Sequence, residues 1–306
     1  MAEREGQPIA VELIAVLVAV ADGRPLAMTI DDGRALPSGP FEVEHRSLQA
    51  GMRAWVERQT RLPLGYVEQL YTFADPGRRN AAGGARAISI SYLGLTREEQ
   101  AAVPRAAWRP WYDYFPWEDH RADAPALIEE AIAPKLRRWA ERDGDPTARK
   151  TRASIAFGLD GRRWNEELVL QRYELLFEVG LIPEARRGTH ERAEEALGLP
   201  MIADHRRILA TGIARVRAKI KYNPVVFELL PPVFTLLQLQ RWVEAIAGLK
   251  VHKPNFRRFI EQQQLVEETG ETVSDTGGRP AKAYRFRAAV KEERAAAGTK
   301  LPLTRA

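Results

Sequence analysis

The chain has 306 residues, 45% of them hydrophobic, with 46 Lys and Arg against 41 Asp and Glu for a formal net charge of +5. That is length for two domains, each with enough apolar content to bury a core. There is no cysteine, which excludes disulfides, thiolate catalysis and Cys-type zinc sites and fits a cytoplasmic setting. The apolar run from Ile9 to Ala21 is shorter than a bilayer span, carries Glu12 and follows no basic signal-like start. It reads as a buried strand, and no membrane partner is expected.

In chain order, Val11 to Val20 is dense in Val, Ile and Leu, Asp22-Gly23 turns it into Arg24 to Thr29, and Asp31-Asp32-Gly33 turns it again, opening a sheet. Leu36 to Pro40 is a loop. Leu48 to Thr60 follows as a helix with Leu48, Met52, Trp55 and Val56 on one face. Strands are expected at Tyr66 to Phe73 and Ala87 to Leu93, separated by the polar loop Asp75 to Gly84, and this order indicates an α+β sandwich. Trp108, Trp111, Tyr112, Tyr114, Phe115 and Trp117, broken by Pro110 and Pro116, favour a loop packed on the core over a base-stacking surface, because they lie in the acidic part of the chain. Ala124 to Arg142 and Asn165 to Val179 read as helices that brace two domains. Asp204 to Lys221, with Ile208, Ile213 and Val216 among polar residues, is a third and a candidate dimer contact.

Charge is unevenly placed: residues 212 to 306 hold 17 Lys and Arg against 9 Asp and Glu, or +8, which leaves −3 for the rest. The basic part coincides with the most ordered pattern in the chain. Thr235 and Gln238 have the form of a capping box, and Leu239, Trp242, Val243 and Ile246 repeat at helical spacing up to Gly248. Pro254 and Asn255 then start a second helix, with Phe256, Phe259 and Ile260 facing inward and Arg257, Arg258 and Gln262 outside. Leu265 to Glu267 and Ala283 to Phe286 alternate as strands around a loop ending in Gly277-Gly278-Arg279-Pro280-Ala281-Lys282. Helix, turn, helix and wing in this order form a winged helix-turn-helix. Its second helix suits the major groove, where Arg reads guanine and Asn or Gln reads adenine. Lys253, Asn255, Arg257, Arg258, Gln262, Arg279 and Lys282 are the expected DNA-binding residues, Arg257 toward a base, Arg258 toward phosphate or base and the last two toward phosphate.

The loop, the helix and Val67 to Phe73, with Ser89 to Leu93 as the next strand, resemble a Nudix domain. Lys219 to Pro224, Leu229-Leu230-Pro231, Phe234-Thr235-Leu236, Asn255 to Arg258 and Gly277 to Ala281 resemble the Nudix-related, NrtR-like transcriptional regulators of NAD metabolism. Within that group the chain is most similar to the proteobacterial NAD regulators called NadQ. The resemblance covers roughly residues 10 to 95 and 203 to 287. It implies a repressor of NAD biosynthesis or salvage genes whose Nudix-like domain senses a nucleotide: NAD, ATP, ADP-ribose or a nicotinic-acid derivative.

A working Nudix box runs Gly, five residues, Glu, seven residues, then Arg-Glu-apolar-any-Glu-Glu-any-Gly-apolar. Its carboxylates are needed because Mg²⁺ takes oxygen ligands and bridges the substrate's diphosphate. Anchored on Gly39 and Arg53, the box has His45, Ala54, Glu57 and Arg58 where glutamates belong, so only Glu57 survives. Anchored on Val56 and Leu62, it has Trp55, Arg58 and Gln59 at carboxylate positions and none survives. Both argue against the metal cluster and against catalysis. Arg53 and Glu57 are the candidate effector-binding residues. His45, His120, His190, His205 and His252 show no zinc spacing, and Gly83-Gly84 belongs to no P-loop or dinucleotide motif.

The expected fold is therefore α+β: a degenerate Nudix-like α/β/α sandwich at 8–120, a helical connecting region at 121–202, a winged helix-turn-helix at 203–290 and a frayed tail at 291–306. The expected partners are a double-stranded operator, a nucleotide effector and a second copy of the chain, with no cofactor and no catalytic residue. A Nudix hydrolase of ADP-ribose-type substrates with an appended nucleic-acid module, or an adaptor whose winged helix binds protein, are the rival readings.

Overall fold

The computed structural model describes residues 9–74, 86–97, 103–142, 144–186, 197–222, 227–273, 280–287 and 289. The expectations for Asn223-Pro224, Gly277-Gly278-Arg279, the loop 75–84 and the tail 291–306 lie outside the described residues.

The sheet is built on β1 (Ile9–Ala21), whose two faces are both covered. Leu13, Ala15 and Leu17 bury on one side and Ile14, Val16, Val18 and Val20 on the other, which is why the run is apolar without alternation. β5 (Arg86–Leu95) pairs parallel to one edge of β1; β2 (Arg24–Thr29) and the short β3 (Ser38–Pro40) pair antiparallel to it at Val18–Ala21 and Glu12–Ile14. β4 (Tyr66–Phe73) and β6 (Ala107–Pro110) complete the order β4-β5-β1-β2-β6.

One face carries α1 (Leu48–Thr60). The Ser47 hydroxyl caps its start by accepting from the Ala50 amide at 3.1 Å, and Met52 and Val56 bury against Leu13, Ala15 and Leu17. The other face carries α5 (His205–Tyr222), packed on β1, β4 and β5. Its Gly212 makes the approach close, since a Cβ there would lie 2.6 Å from Val16 Cγ1. Here the sequence reading is corrected. Ile208, Leu209, Ile213 and Val216 are all 0% exposed against the chain's own sheet and helices, so the apolar stripe of α5 is not a dimer contact. The helix also packs on α4 (Val169–Glu178) and on α6 (Leu236–Ala247).

Between sheet and α5, the run Trp111 to Trp117 is packed inward as expected, with Trp111, Tyr114, Phe115 and Trp117 fully buried. The helix expected at Ala124 to Arg142 starts at 126 and passes through a π-helical turn, Ile128–Ile132, into α2 (Ala133–Ala140). Pro134 has no amide to donate four residues back, and the backbone widens just ahead of it. α3 (Pro146–Phe157) was not anticipated; α4 (Val169–Glu178) lies inside the expected span. The C-terminal unit has α6 (Leu236–Ala247), α7 (Lys253–Gln262) and the antiparallel pair β7 (Val266–Val273) and β8 (Ala281–Phe286). The capping box is present: the Gln238 Oε1 accepts from the Thr235 amide at 2.7 Å, and the Thr235 hydroxyl accepts from the Gln238 amide at 3.2 Å. The backbones of Phe234 and Tyr284 exchange hydrogen bonds of 2.9 and 2.8 Å, tying the start of this unit to its wing.

Candidate nucleic-acid interface and sensing site

α7 is held by a narrow stripe. Phe256 is half-buried, Ile260 is buried and Leu265 closes the contact just beyond the helix. Lys253, Asn255, Arg257, Arg258 and Gln262 are exposed, as expected. Phe259 is not inside: it is 49% exposed, a correction to the inward reading. At about 100° per residue, position 259 stands to one side of the Phe256–Ile260 stripe, and no second helix row covers it. The same geometry separates the two arginines. Arg258 lies about 160° from both Phe256 and Ile260, opposite the core, with Asn255, Gln262 and Phe259 on one side of it. Arg257 lies on the other flank with Lys253. Among the described residues none of Lys253, Arg257 and Arg258 is engaged in an ion pair, so their charge faces outward unspent.

The wing is more neutral than its sequence suggests. Lys282 Nζ is 2.8 and 3.0 Å from the two carboxylate oxygens of Glu268, and Arg285 Nε is 2.6 Å from Glu267. Glu268 holds the Lys282 ammonium above its usual range through this hydrogen bond and charge. Arg279, the other expected phosphate contact, lies outside the described residues.

At the Nudix-like position the fold decides between the two box alignments. Val56 and Leu62 are 0% and 3% exposed and fill the apolar positions, and Arg61, at φ 61°, takes the left-handed helix end where the box has glycine. The carboxylate positions are therefore Trp55, Arg58 and Gln59. Trp55 Nε1 donates to the Pro40 carbonyl at 2.8 Å, and its ring covers Gly39, where a Cβ would fall 2.2 Å from the indole. Gln59 pairs with both backbone groups of Ser38, at 3.0 and 2.8 Å, and the Arg58 guanidinium stacks 4.4 Å from the Trp55 ring centre. An indole, an amide and a guanidinium offer no anionic oxygen, so these residues do not fit the divalent cation of a Nudix box. Among the described residues no group of three His, Asp or Glu is arranged to hold a metal. Of the two candidate effector residues, Arg53 reaches the carbonyls of Leu64 and Gly65, the latter at 3.0 Å, and braces the loop after α1. Glu57 is exposed on α1.

A buried ionic node joins the sandwich to the winged helix; sequence spacing carried no signal for it. The Glu118 carboxylate accepts from Arg172 Nε at 2.6 Å and Nη2 at 2.8 Å, and from Arg217 Nη1; all three side chains are 0% exposed. Arg217 Nε also donates to the Ile246 carbonyl at 2.9 Å, Tyr112 Oη to the Ala245 carbonyl at 2.7 Å and the His120 amide to the Gly248 carbonyl at 2.7 Å. The last carbonyls of α6, which a helix leaves without internal partners, are thus gripped by the sandwich. Gly248, at φ 70°, is needed there, since a Cβ would sit 2.3 Å from the Glu118 carbonyl oxygen.

Residues 226–286 match the NrtR DNA-binding winged helix domain. The ADPR responsive transcriptional repressor NtrR of Acinetobacter baylyi is 40% identical over 93 residues, which cover 30% of this chain and 37% of that relative. In structure, the chain resembles Shewanella oneidensis NrtR complexed with a 27mer DNA, with a TM-score of 0.56 and 19% identity over 92% of this chain and 95% of the other. It also resembles a MutT/nudix family protein from Enterococcus faecalis, with a TM-score of 0.55 and 14% identity over 94% and 90%. At these identities the two structures establish the fold. The chain thus shares the two-part fold of these structures, and its residues 226–286 match the NrtR DNA-binding winged helix domain.

Proposed function

We propose that this protein is a transcriptional repressor of NAD biosynthesis or salvage genes, in which a non-hydrolysing Nudix-like domain senses ADP-ribose and changes the hold of the winged helix on its operator. The observation that carries the reading is the outer arc of α7, where Asn255, Arg258 and Gln262 stand opposite the core with Arg257 and Lys253 beside them, in a domain matched as DNA-binding. Arg258, Asn255 and Gln262 read base edges, while Lys253, Arg257 and Arg279 neutralise phosphates. ADP-ribose is favoured among nucleotides because the Acinetobacter baylyi relative is ADPR responsive. One winged helix makes few base contacts, so two copies bind a palindromic site as a homodimer. The hydrolase reading requires anionic oxygens where Trp55, Arg58 and Gln59 stand, and is set aside on that ground. The test is fluorescence anisotropy of the protein on promoter fragments of NAD-biosynthetic genes, with and without ADP-ribose. Tight binding weakened or strengthened by ADP-ribose is the expected result. Binding no tighter than to random duplex would overturn the reading, and indifference to ADP-ribose would remove that effector.

A further inference from the structure

Phe259 is the residue of α7 that the reading so far leaves without a purpose. It is 49% exposed on a helix that otherwise offers water only polar groups and Pro254. Among the described residues no aromatic ring stacks on it, and its neighbours Phe256 and Ile260 already fill the contact with the domain core. On the helix it is the i+4 neighbour of Asn255 and the i−3 neighbour of Gln262, so ring and amides share one face. Arg258 adjoins that face, opposite the core. Leaving a phenyl half in water forgoes the burial it could have had, so a partner that covered it would gain that apolar area on association.

We propose that Phe259 reads the 5-methyl group of a thymine in the major groove, next to an adenine held by the Asn255 or Gln262 amide. The proposal rests on the DNA-binding reading above and deepens it. The occupant follows from the surroundings of the ring. Arg258 adjoins its face and Arg257 and Lys253 lie on the other flank of the same exposed helix surface, a cationic arc that calls for a polyanion, so an apolar protein surface is disfavoured. The only apolar group that a base pair presents in the major groove is the thymine methyl, and apolar side chains including Phe are its usual partners. Asn and Gln pair in two-point fashion with adenine N6 and N7, so an amide and a phenyl on one helix face match an adenine beside a thymine on the floor of the groove.

The experiment first selects duplexes from a random pool with the full-length protein, then replaces each thymine of the selected operator by deoxyuridine, one at a time. Uracil keeps the pairing and loses only the methyl. The expected result is one thymine per half-site whose replacement weakens binding about four-fold, the equivalent of one buried methyl-sized group. In Phe259→Ala that penalty disappears while the adenine preference beside it remains, and Phe259→Leu retains part of it. Circular dichroism melts identical to the parent establish that the variants fold, as the exposure of the side chain leads one to expect. An operator with no methyl-sensitive thymine, or a penalty undiminished in Phe259→Ala, would overturn this assignment and leave DNA binding intact. Failure to select any duplex would overturn both. An equal loss on thymine and uracil operators would place Phe259 against the sugar-phosphate backbone instead and also overturn it.

Discussion

Replacing Glu118 by Ala tests the most consequential buried contact in the molecule. Its carboxylate meets the guanidiniums of Arg172 and Arg217, all three groups at 0% exposure. Removing it leaves two cations in a medium that cannot solvate them. Breaking a buried pair from one side costs about 3–5 kcal/mol, against a total stability of about 5–15 kcal/mol for a folded domain. Replacing all three residues with apolar ones does not restore what is lost. Arg172 also donates to the carbonyls of Ala156 and Asn165, and Arg217 to those of Glu166 and Ile246, so those acceptors would be orphaned in turn. The assay is urea unfolding followed by tryptophan fluorescence, the chain having 7 Trp, with the midpoint read at unchanged slope. The pH dependence gives a second reading. Burial acts to raise the Glu118 carboxyl, but the charges and hydrogen bonds of Arg172 and Arg217 outweigh it and hold the group below its ordinary 4.5. A depressed carboxyl contributes stability that is fully present above the unfolded value and lost as pH falls through the folded one. The parent therefore loses stability below pH 4.5 more steeply than Glu118→Gln, which has no carboxyl to protonate. A Glu118→Ala midpoint shift worth less than about 0.5 kcal/mol, typical of a surface change, would refute the reasoning.

Arg258→Ala weakens operator binding by about 1–3 kcal/mol and relaxes the preference at one base, whereas Arg257→Ala weakens all duplexes alike and lowers the salt slope by about one; anisotropy titrations across ionic strength separate the two. Lys282→Ala changes the salt slope by less than Lys253→Ala does, because Glu268 already neutralises the Lys282 ammonium. No Mg²⁺- or Mn²⁺-dependent turnover of ADP-ribose is expected from purified protein. Product formation followed by chromatography, and abolished by Glu57→Gln, would contradict the assignment of Trp55, Arg58 and Gln59 to the carboxylate positions. Gly248→Ala, which drives a Cβ to within 2.3 Å of the Glu118 carbonyl oxygen, destabilises the fold by more than about 1 kcal/mol and loosens the attachment of α6, read as a lower unfolding midpoint and faster amide exchange in α6.

Several elements are legible from the chain alone because their signals are local. The strand Tyr66–Phe73 and the helix Leu48–Thr60 have the bounds that apolar period and turn residues predict, and the Thr235–Gln238 capping box is where three-residue spacing places it. α3 escapes the same reading although Asp145, Pro146 and Gly158 punctuate it at both ends. Its buried face, Ala153, Ser154, Ala156 and Phe157, is made largely of small residues and gives little apolar period. The polar arc of α7 is likewise written in residues 253 to 262, while the exposure of Phe259 is not. Periodicity says which residues share a face; it does not say how wide the contact on that face will be.

What the sequence by itself determined was the class of the fold, the helix-turn-helix-wing order of its C-terminal part and the loss of all box carboxylates except, under one alignment, Glu57. Only the tertiary structure decided which alignment holds, because burial of Val56 and Leu62 and the left-handed Arg61 depend on what α1 packs against. It also decided that α5 faces the sheet and not a second copy, and that Glu118, Arg172 and Arg217 form one buried group, with Glu118 and Arg217 99 residues apart. Caps, turns and periods are set by neighbours within a few residues, so they can be read along the chain. The partner of an amphipathic face or of a buried charge is set by whichever distant segment desolvates it, and that pairing exists only once the chain has folded.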